Sequence, residues 1–418
     1  MKNLALQNSV GLLLIFGLAS ASNMWNAQSG SSDLATSFSL ANQVFAFKLQ
    51  KELSGGKTEN VFFSPFSIST ALSMTYLGAR EKTADQMSKV LAISGLKDSV
   101  HEEYEKYLSV ILTGNDNFTL HVANRLFPNQ KMKVVDGFVN SCIKHYKADV
   151  LPLDFSQAAK SAKTINDWVS DQTKDKIKDL VSPDILSSNV FMVLVNAIYF
   201  KGNWASQFDK ERTRKGRFHI NFSEEVEVDM MYQKRKFSYT YQPDHLCSVL
   251  EMTYKGQTLS MVFILPDTLD GLPPLEDKLT PDLFKGFRSS LKNNTDVEVY
   301  IPKFKVETKF ELSPVLSKLG MLDAFNQNAD FSGMDRKKEV FISNVIHQAF
   351  VEVNEEGTEA AAATAVMMMK RAAVRNPVFK ADKPFLFYIM DRKTNIVLFS
   401  GRLVRPEGEI VTTSKDEL

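Results

Sequence analysis

The chain predicts a single α+β unit, and three observations carry that reading. Segments with apolar residues at helical spacing dominate the first half, and short strand-like runs dominate the second. No long Pro/Gly/Ser stretch divides the 418 residues, a length that can bury a large core. Composition is globular, with 44% hydrophobic and 24% charged residues and no internal repeat. A net charge of +1 gives no argument for nucleic acid or an anionic membrane as partner.

Lys2, the apolar run Val10–Leu18 and Ala19-Ser20-Ala21 read as a secretory signal over residues 1–21. That run is about half the length a bilayer span needs. Asp33 is expected to cap a helix towards Glu52, with Leu40, Val44, Phe45 and Leu49 on one face. Val61-Phe62-Phe63 reads as a buried strand ended by Ser64-Pro65, and Ser67 as the cap of a helix stopped near Gly78. Thr83–Gly114 is helical and amphipathic. Its stretch His101–Lys106 reads as a mixed solvated face, with no basic stripe for sulfated polysaccharide. Phe118–Phe127 alternates like a strand, and Ser161–Leu180 reads as a charged helix. Phe191–Phe200 is a continuous apolar run of strand length, the mark of a central strand covered on both faces.

Strands are expected at Lys236–Tyr241, Ser248–Tyr254, Leu259–Leu265 and Val297–Ile301, with a helix-sized piece at Phe310–Leu319. Val340–Val353 is strand-like and leads directly into Glu355–Arg375, EEGTEAAAATAVMMMKRAAVR. Val378-Phe379 follows, then Phe385–Met390 and Ile396–Leu403, whose short connection suits a hairpin. The chain closes on Lys415-Asp416-Glu417-Leu418, a receptor-read address for return to the endoplasmic reticulum. Taken with the signal, it predicts a soluble, monomeric resident of the endoplasmic reticulum lumen or early secretory pathway, a portion of which is also secreted. Asn117, Asn221 and Asn293 head glycosylation sequons usable there. Cys142 and Cys247 are too few for a disulfide framework and read as structural thiols.

Enzyme chemistry finds no foothold. There is no G-x-S-x-G elbow, H-E-x-x-H, P-loop or G-x-G-x-x-G after a strand. The six histidines are scattered, none spaced with another His or Cys like a zinc site. No catalytic residue, metal or cofactor is assigned.

Several long motifs, in order, resemble the serpin family over essentially the whole mature chain. They are NVFFSPFSIS (60–69), LVNAIYFKGNW (194–204), LPD (265–267), IPKFKVETKFELSPVLSKLGM (301–321), ADFSGM (329–334), EEGTEAAAAT (355–364) and VFKADKPFLFYI (378–389). Lys383 departs from the His or Arg more usual in the last of these. The resemblance implies three β-sheets, eight or nine helices and an exposed reactive loop at about 355–376, in one domain spanning 22–414. It implies an inhibitor that traps a serine protease covalently when the cut loop inserts into the central sheet. By the same resemblance Ser64, Ser67, Asn196 and His347 form a buried hydrogen-bonding cluster where that sheet opens, and Trp204 marks the site of first insertion.

An inserting strand must be small and uncharged on its core side. With period 2, Thr358, Ala360, Ala362, Thr364, Val366 and Met368 share one face, and Glu359, Ala361, Ala363, Ala365, Met367 and Met369 the other. Gly357 supplies backbone freedom at the hinge. Counting fourteen residues on from Gly357, the family's usual spacing, lands on Arg371, so Arg371–Ala372 is the expected scissile bond. Met368, Met369, Lys370 and Arg371 would be read by the target. The Lys370-Arg371 pair favours a basic-specific protease with two acidic subsites, such as a subtilisin-like proprotein convertase. Met368 departs from the arginine that the most stringent convertases prefer. The alternatives are an inhibitor of extracellular trypsin-like proteases, or a non-inhibitory chaperone-type serpin, whose hinge would carry bulky or charged residues instead.

Overall fold

A computed structural model describes residues 16–113, 117–336, 340–356 and 376–411, with side chains from residue 33 onward. The first half runs α1 (Phe16–Ser54), β1 (Val61–Phe63), α2 (Pro65–Tyr76), α3 (Glu81–Val90), α4 (Ser99–Ile111) and β2 (Phe118–Pro128). Next come α5 (Asp136–Tyr146), α6 (Ala158–Gln172), β3 (Met192–Gly202), β4 (Arg214–Asn221) and β5 (Glu224–Gln242). They are followed by β6 (Cys247–Thr253), β7 (Leu259–Pro266), α7 (Leu272–Lys278), α8 (Pro281–Ser289), β8 (Lys292–Pro302) and β9 (Phe304–Glu311). The chain ends through α9 (Ser313–Lys318), β10 (Asn344–Val353), β11 (Val378–Lys380), β12 (Phe385–Asp391), β13 (Val397–Leu403) and β14 (Glu409–Val411). The expected α+β class holds, with nine α-helices among the described residues.

Four strands form one sheet in the order β2-β3-β10-β9. Its outer contacts, β2 on β3 and β9 on β10, are antiparallel, while the central contact of β10 on β3 is parallel. The remaining ladder runs β1-β13-β12-β7-β6-β5-β8-β11, with β4 and β14 also on β5. Where three sheets are expected, the described strands form two hydrogen-bonded ladders, and β5 sits at the middle of the larger one. Its last residues, Ser238–Gln242, pair with β6, and its earlier part pairs with β4, β8 and β14.

Two layers sandwich the four-stranded sheet. On one face lies α2, buried from Pro65 to Thr75; its Ser69, Thr70 and Thr75 hydroxyls donate to carbonyls of their own helix, which lets these small polar residues be buried with Phe66, Ile68, Leu72 and Met74. On the other, Ile165 and Val169 of α6 pack with Ala123, Val193, Val195 and Ile346 of the strands. A separate cluster seats α1, α7 and α8 on β6, β7, β12 and β13 through Phe47, Phe284, Phe287 and Tyr388.

Four local expectations change. His101–Lys106 is no solvated face, since His101, Glu103 and Tyr104 are buried. Helix α1 already begins at Phe16, inside the segment read as a signal, so Asp33 lies within the helix and does not cap it. Ser64, not Ser67, caps α2: its Oγ accepts from Ser67 N at 3.1 Å, and Pro65 fills the first helical position, where its missing N–H leaves no bond unmade. Phe310 and Glu311 end β9, leaving only Ser313–Lys318 as helix.

Candidate functional site

Residues 357–375 lie outside the described residues. They carry the expected hinge Gly357, Thr358, Glu359, Ala360, Ala361, Ala362 and Ala363, the recognition residues Met368, Met369 and Lys370, and the Arg371–Ala372 bond. The candidate site is built from the described residues expected at the sheet opening and from those at the end of β10, next to this segment. They fall in two groups, one at mid-sheet and one where β10 ends.

At mid-sheet the register puts Asn124 of β2 opposite Asn196 of β3, and Asn196 opposite His347 of β10. One polar residue from each of three adjacent strands therefore stands at the same level on the α2 side. Asn196 Nδ2 donates to Asn124 Oδ1 and to Ser67 Oγ, and Ser67 Oγ donates to Asn124 Oδ1 at 3.2 Å. His347 Nε2 accepts the Ser64 backbone N–H at 3.2 Å, which leaves Nδ1 to carry the proton towards Asn196 Oδ1. The imidazole is thus neutral, and burial holds its pKa down at about 3. Ser64 Oγ donates to the Leu398 carbonyl of β13 at 2.6 Å, tying the row to the second ladder. The four residues expected to cluster, Ser64, Ser67, Asn196 and His347, are together and buried.

Where β10 ends, residues 354–356 are clasped by the segment after β3. Trp204 Nε1 donates to the Asn354 carbonyl at 3.1 Å, and Trp204 N and Gln207 Nε2 donate to the Glu356 carbonyl at 3.3 and 3.2 Å. Phe208 N donates to the Glu355 carbonyl at 2.9 Å. The indole stacks on Tyr254 with ring centroids 4.6 Å apart and planes 7° off parallel. Charge adds to the clasp. The Glu355 carboxylate is buried against Thr213 Oγ1 (2.8 Å) and Lys303 Nζ (3.2 Å), and Lys210 pairs with Glu356.

Sequence reasoning missed Asn124, Glu355, Lys303 and Thr213. Glu355 and Lys303 both stand inside quoted motifs, but nothing local marks them as partners. Of the sequon residues, Asn221 is exposed at the β4–β5 turn, where Oδ1 accepts from Ser223 N at 2.9 Å. Asn293 is exposed at the start of β8, and Asn117 is half-buried just before β2. Cys142 and Cys247 are free and buried, and burial pushes both thiols up to about 12. Among the described residues no helix is long and apolar enough to cross a membrane.

A family model described as "Serpin (serine protease inhibitor)" matches residues 40–406. The chain belongs to the serpin family. It is 44% identical over 371 residues to Serpin B6 of Macaca fascicularis, covering 88% of this chain and 98% of that one. Leukocyte elastase inhibitor of Xenopus laevis is 43% identical, with 87% and 97% covered. Among solved structures, uncleaved ovalbumin superposes with a TM-score of 0.81 at 32% identity, over 88% of this chain and all of its own. The description of the family is of serine protease inhibitors, not of catalysts.

These serpin relatives correct one expectation. They belong to clade B, an intracellular group that is cytosolic and not resident in the endoplasmic reticulum, so the predicted residence in that lumen does not stand. That prediction rested on residues 1–21 and on Lys415, Asp416, Glu417 and Leu418, all outside the matched stretch 40–406. Nothing in these relatives supports the retrieval receptor expected as a partner.

Proposed function

We propose that this serpin is a suicide inhibitor of serine proteases that cut after basic residues, attacked at Arg371–Ala372. The attacking serine would form an ester with the Arg371 carbonyl and release the Ala372 amine. The freed segment Thr358–Met369 would then enter the sheet between β3 and β10 before water could reach the ester.

The parallel contact at the sheet's centre is the observation that carries this reading. Eight residue pairs, Asn344↔Val193 to Val351↔Phe200, make up that contact, and the loop leaves from the end of β10. A strand turned back from β10 runs antiparallel to both neighbours, so one parallel ladder is exchanged for two antiparallel ones. About a dozen added backbone bonds at roughly 1 kcal/mol net each give a large driving force. The small residues Thr358 and Ala360–Ala363 at the leading end support passage between the strands. Lys370 beside Arg371 supports a target with two acidic subsites, and subtilisin-like convertases have that chemistry. With the shared compartment withdrawn, the basic pair alone supports them.

The test is an electrophoretic gel after mixing the protein with trypsin and, separately, with a dibasic-specific subtilisin-like protease. A denaturant-resistant adduct should form, and the released peptide should begin at Ala372 by mass. A clipped chain with no adduct from either enzyme would refute the inhibitory reading.

A further inference from the structure

Both anchors of the loop border one exposed face that the inhibitory scheme does not use. On the β5–β8–β11 ladder Met231, Gln233, Val297, Val299 and Phe379 point inward and are buried. The alternate positions therefore face out. There Tyr232 stands opposite Tyr300, with ring centroids 4.7 Å apart, and Tyr300 stands opposite Lys380. The exposed Arg212 guanidinium covers the Tyr232 ring at 4.3 Å, and no carboxylate among the described residues lies within ion-pair distance of it. The next rung is Lys234 with Glu298, paired at 2.7 Å, and the one after is Lys236 opposite Asp296.

The same turn that offers Arg212 also supplies Lys210, which holds Glu356 at the start of the loop. At the loop's other end, the Pro377 carbonyl accepts Glu298 N at 3.0 Å. Pro377 follows Arg371 by six residues, a reach of at most about 21 Å in an extended chain. A protease seated on Arg371–Ala372 therefore comes within range of this face. Arg and Tyr are the residue types that dominate binding energy at protein interfaces. A guanidinium stacked on an aromatic ring is already oriented for a carboxylate. On this face and the turn beside it four cations, Arg212, Lys234, Lys236 and Lys380, meet three carboxylates, Asp296, Glu298 and Asp382; Lys234 is paired with Glu298 and Lys380 with Asp382 at 3.0 Å, so among the described residues Arg212 carries the unpaired charge.

We infer that Arg212, Tyr232, Tyr300 and Lys380 form a second docking surface for the target protease, one that selects enzymes with an acidic surface beside the active-site cleft. This rests on the inhibitory reading above. The loop would choose the cleavage chemistry, and this face would set which basic-specific enzyme is captured fastest, because complementary charge raises encounter rates.

Anionic and cationic trypsins share a specificity for basic residues and differ in surface charge, so they serve as probes. The association rate for adduct formation should be higher with the anionic enzyme and should fall as salt rises. Arg212→Glu should slow the anionic enzyme by about tenfold, leave the cationic one unslowed, and keep thermal stability and inhibitory stoichiometry at wild-type values. Arg212→Lys, which keeps the charge but not the planar stack, should fall between. Equal rates for Arg212→Glu and wild type with anionic trypsin, or an equal loss with both enzymes, would overturn the proposal while leaving inhibition intact. Absence of adduct from the unmodified protein with both trypsins and with the dibasic-specific subtilisin-like protease would overturn the inhibitory reading, and this inference with it.

Discussion

Lys303 Nζ lies 3.2 Å from the Glu355 carboxylate, two residues past the end of β10. Glu355 is 4% exposed, and its other oxygen accepts from Thr213 Oγ1 at 2.8 Å. Glu355→Ala would strip the Lys303 ammonium of its partner and leave Thr213 unsatisfied. Lys303 is 39% exposed at its side chain, so water recovers part of the loss, and a destabilisation of about 1–2 kcal/mol is expected. Denaturant unfolding of Glu355→Ala, Lys303→Ala and the double variant checks this. Additive effects would show that the pair contributes nothing beyond its separate members.

Acid should loosen the sheet centre through His347. The unfolded chain protonates this imidazole below its ordinary 6.5, whereas the folded chain holds it neutral down to about 3. Stability present above pH 6.5 is therefore lost as pH falls through that window. Between pH 7.5 and 5 the loss from this one group amounts to about 2 kcal/mol. His101, pushed down to about 4 by burial and the neighbouring His145, adds a slope of the same sign. His347→Gln should flatten the unfolding free energy over that range without removing the slope entirely. An unchanged slope would rule out His347 as a contributor.

A smaller change should act strongly in the hairpin core. Gly401 of β13 faces Phe387 of β12, and a Cβ placed there would sit 2.4 Å from the Phe387 ring. Phe387 is fully buried and Gly401 buried, and Phe387 also packs on Phe62 and Phe304. Gly401→Ala should destabilise by about 1–3 kcal/mol through overpacking. A thermal midpoint equal to wild type would show that the ring can move aside.

Thr358→Arg separates cutting from trapping. An arginine on the core side of the leading strand residues would have to be buried between β3 and β10 without a partner. The expected product is a protein still cleaved after Arg371 but yielding little adduct, measured as a rise in the moles of inhibitor consumed per mole of protease. Undiminished trapping would refute insertion as the step that follows cleavage.

Much of the fold was legible because the central strands carry their own signal. Phe191–Phe200 reads as a strand buried on both faces, and all of Met192–Phe200 is buried. The capping of α2 was placed three residues late, since Ser64 and Ser67 are both competent caps and only Pro65 distinguishes them. Strands β4 and β9 escaped notice because their solvent faces are dense in charge, as in Lys305, Glu307 and Lys309. Ser64, Ser67, Asn196, His347 and Trp204 were found by resemblance, while Asn124 and the Glu355–Lys303 pair depend on contacts more than 30 residues apart in sequence. Compartment was misjudged for another reason. Terminal signals are unconstrained by packing, and the matched family stretch contains neither of them.

The row Asn124–Asn196–His347 bears on how strands β3 and β10 could part. Interlocked aliphatic side chains there would have to be pulled from their sockets, and each would leave a void. Hydroxyls and amides meet a newcomer differently: Ser64 and Ser67 can swing about one bond, and an asparagine can turn over, so each finds a new partner as the old one recedes. A threonine or backbone group arriving in the gap enters a line of donors and acceptors already at its level. Above and below that line the contact is aliphatic, Val193–Val195 and Ile198 along Val345, Ile346 and Ala349, so this one rung is the seam in what is otherwise a weld.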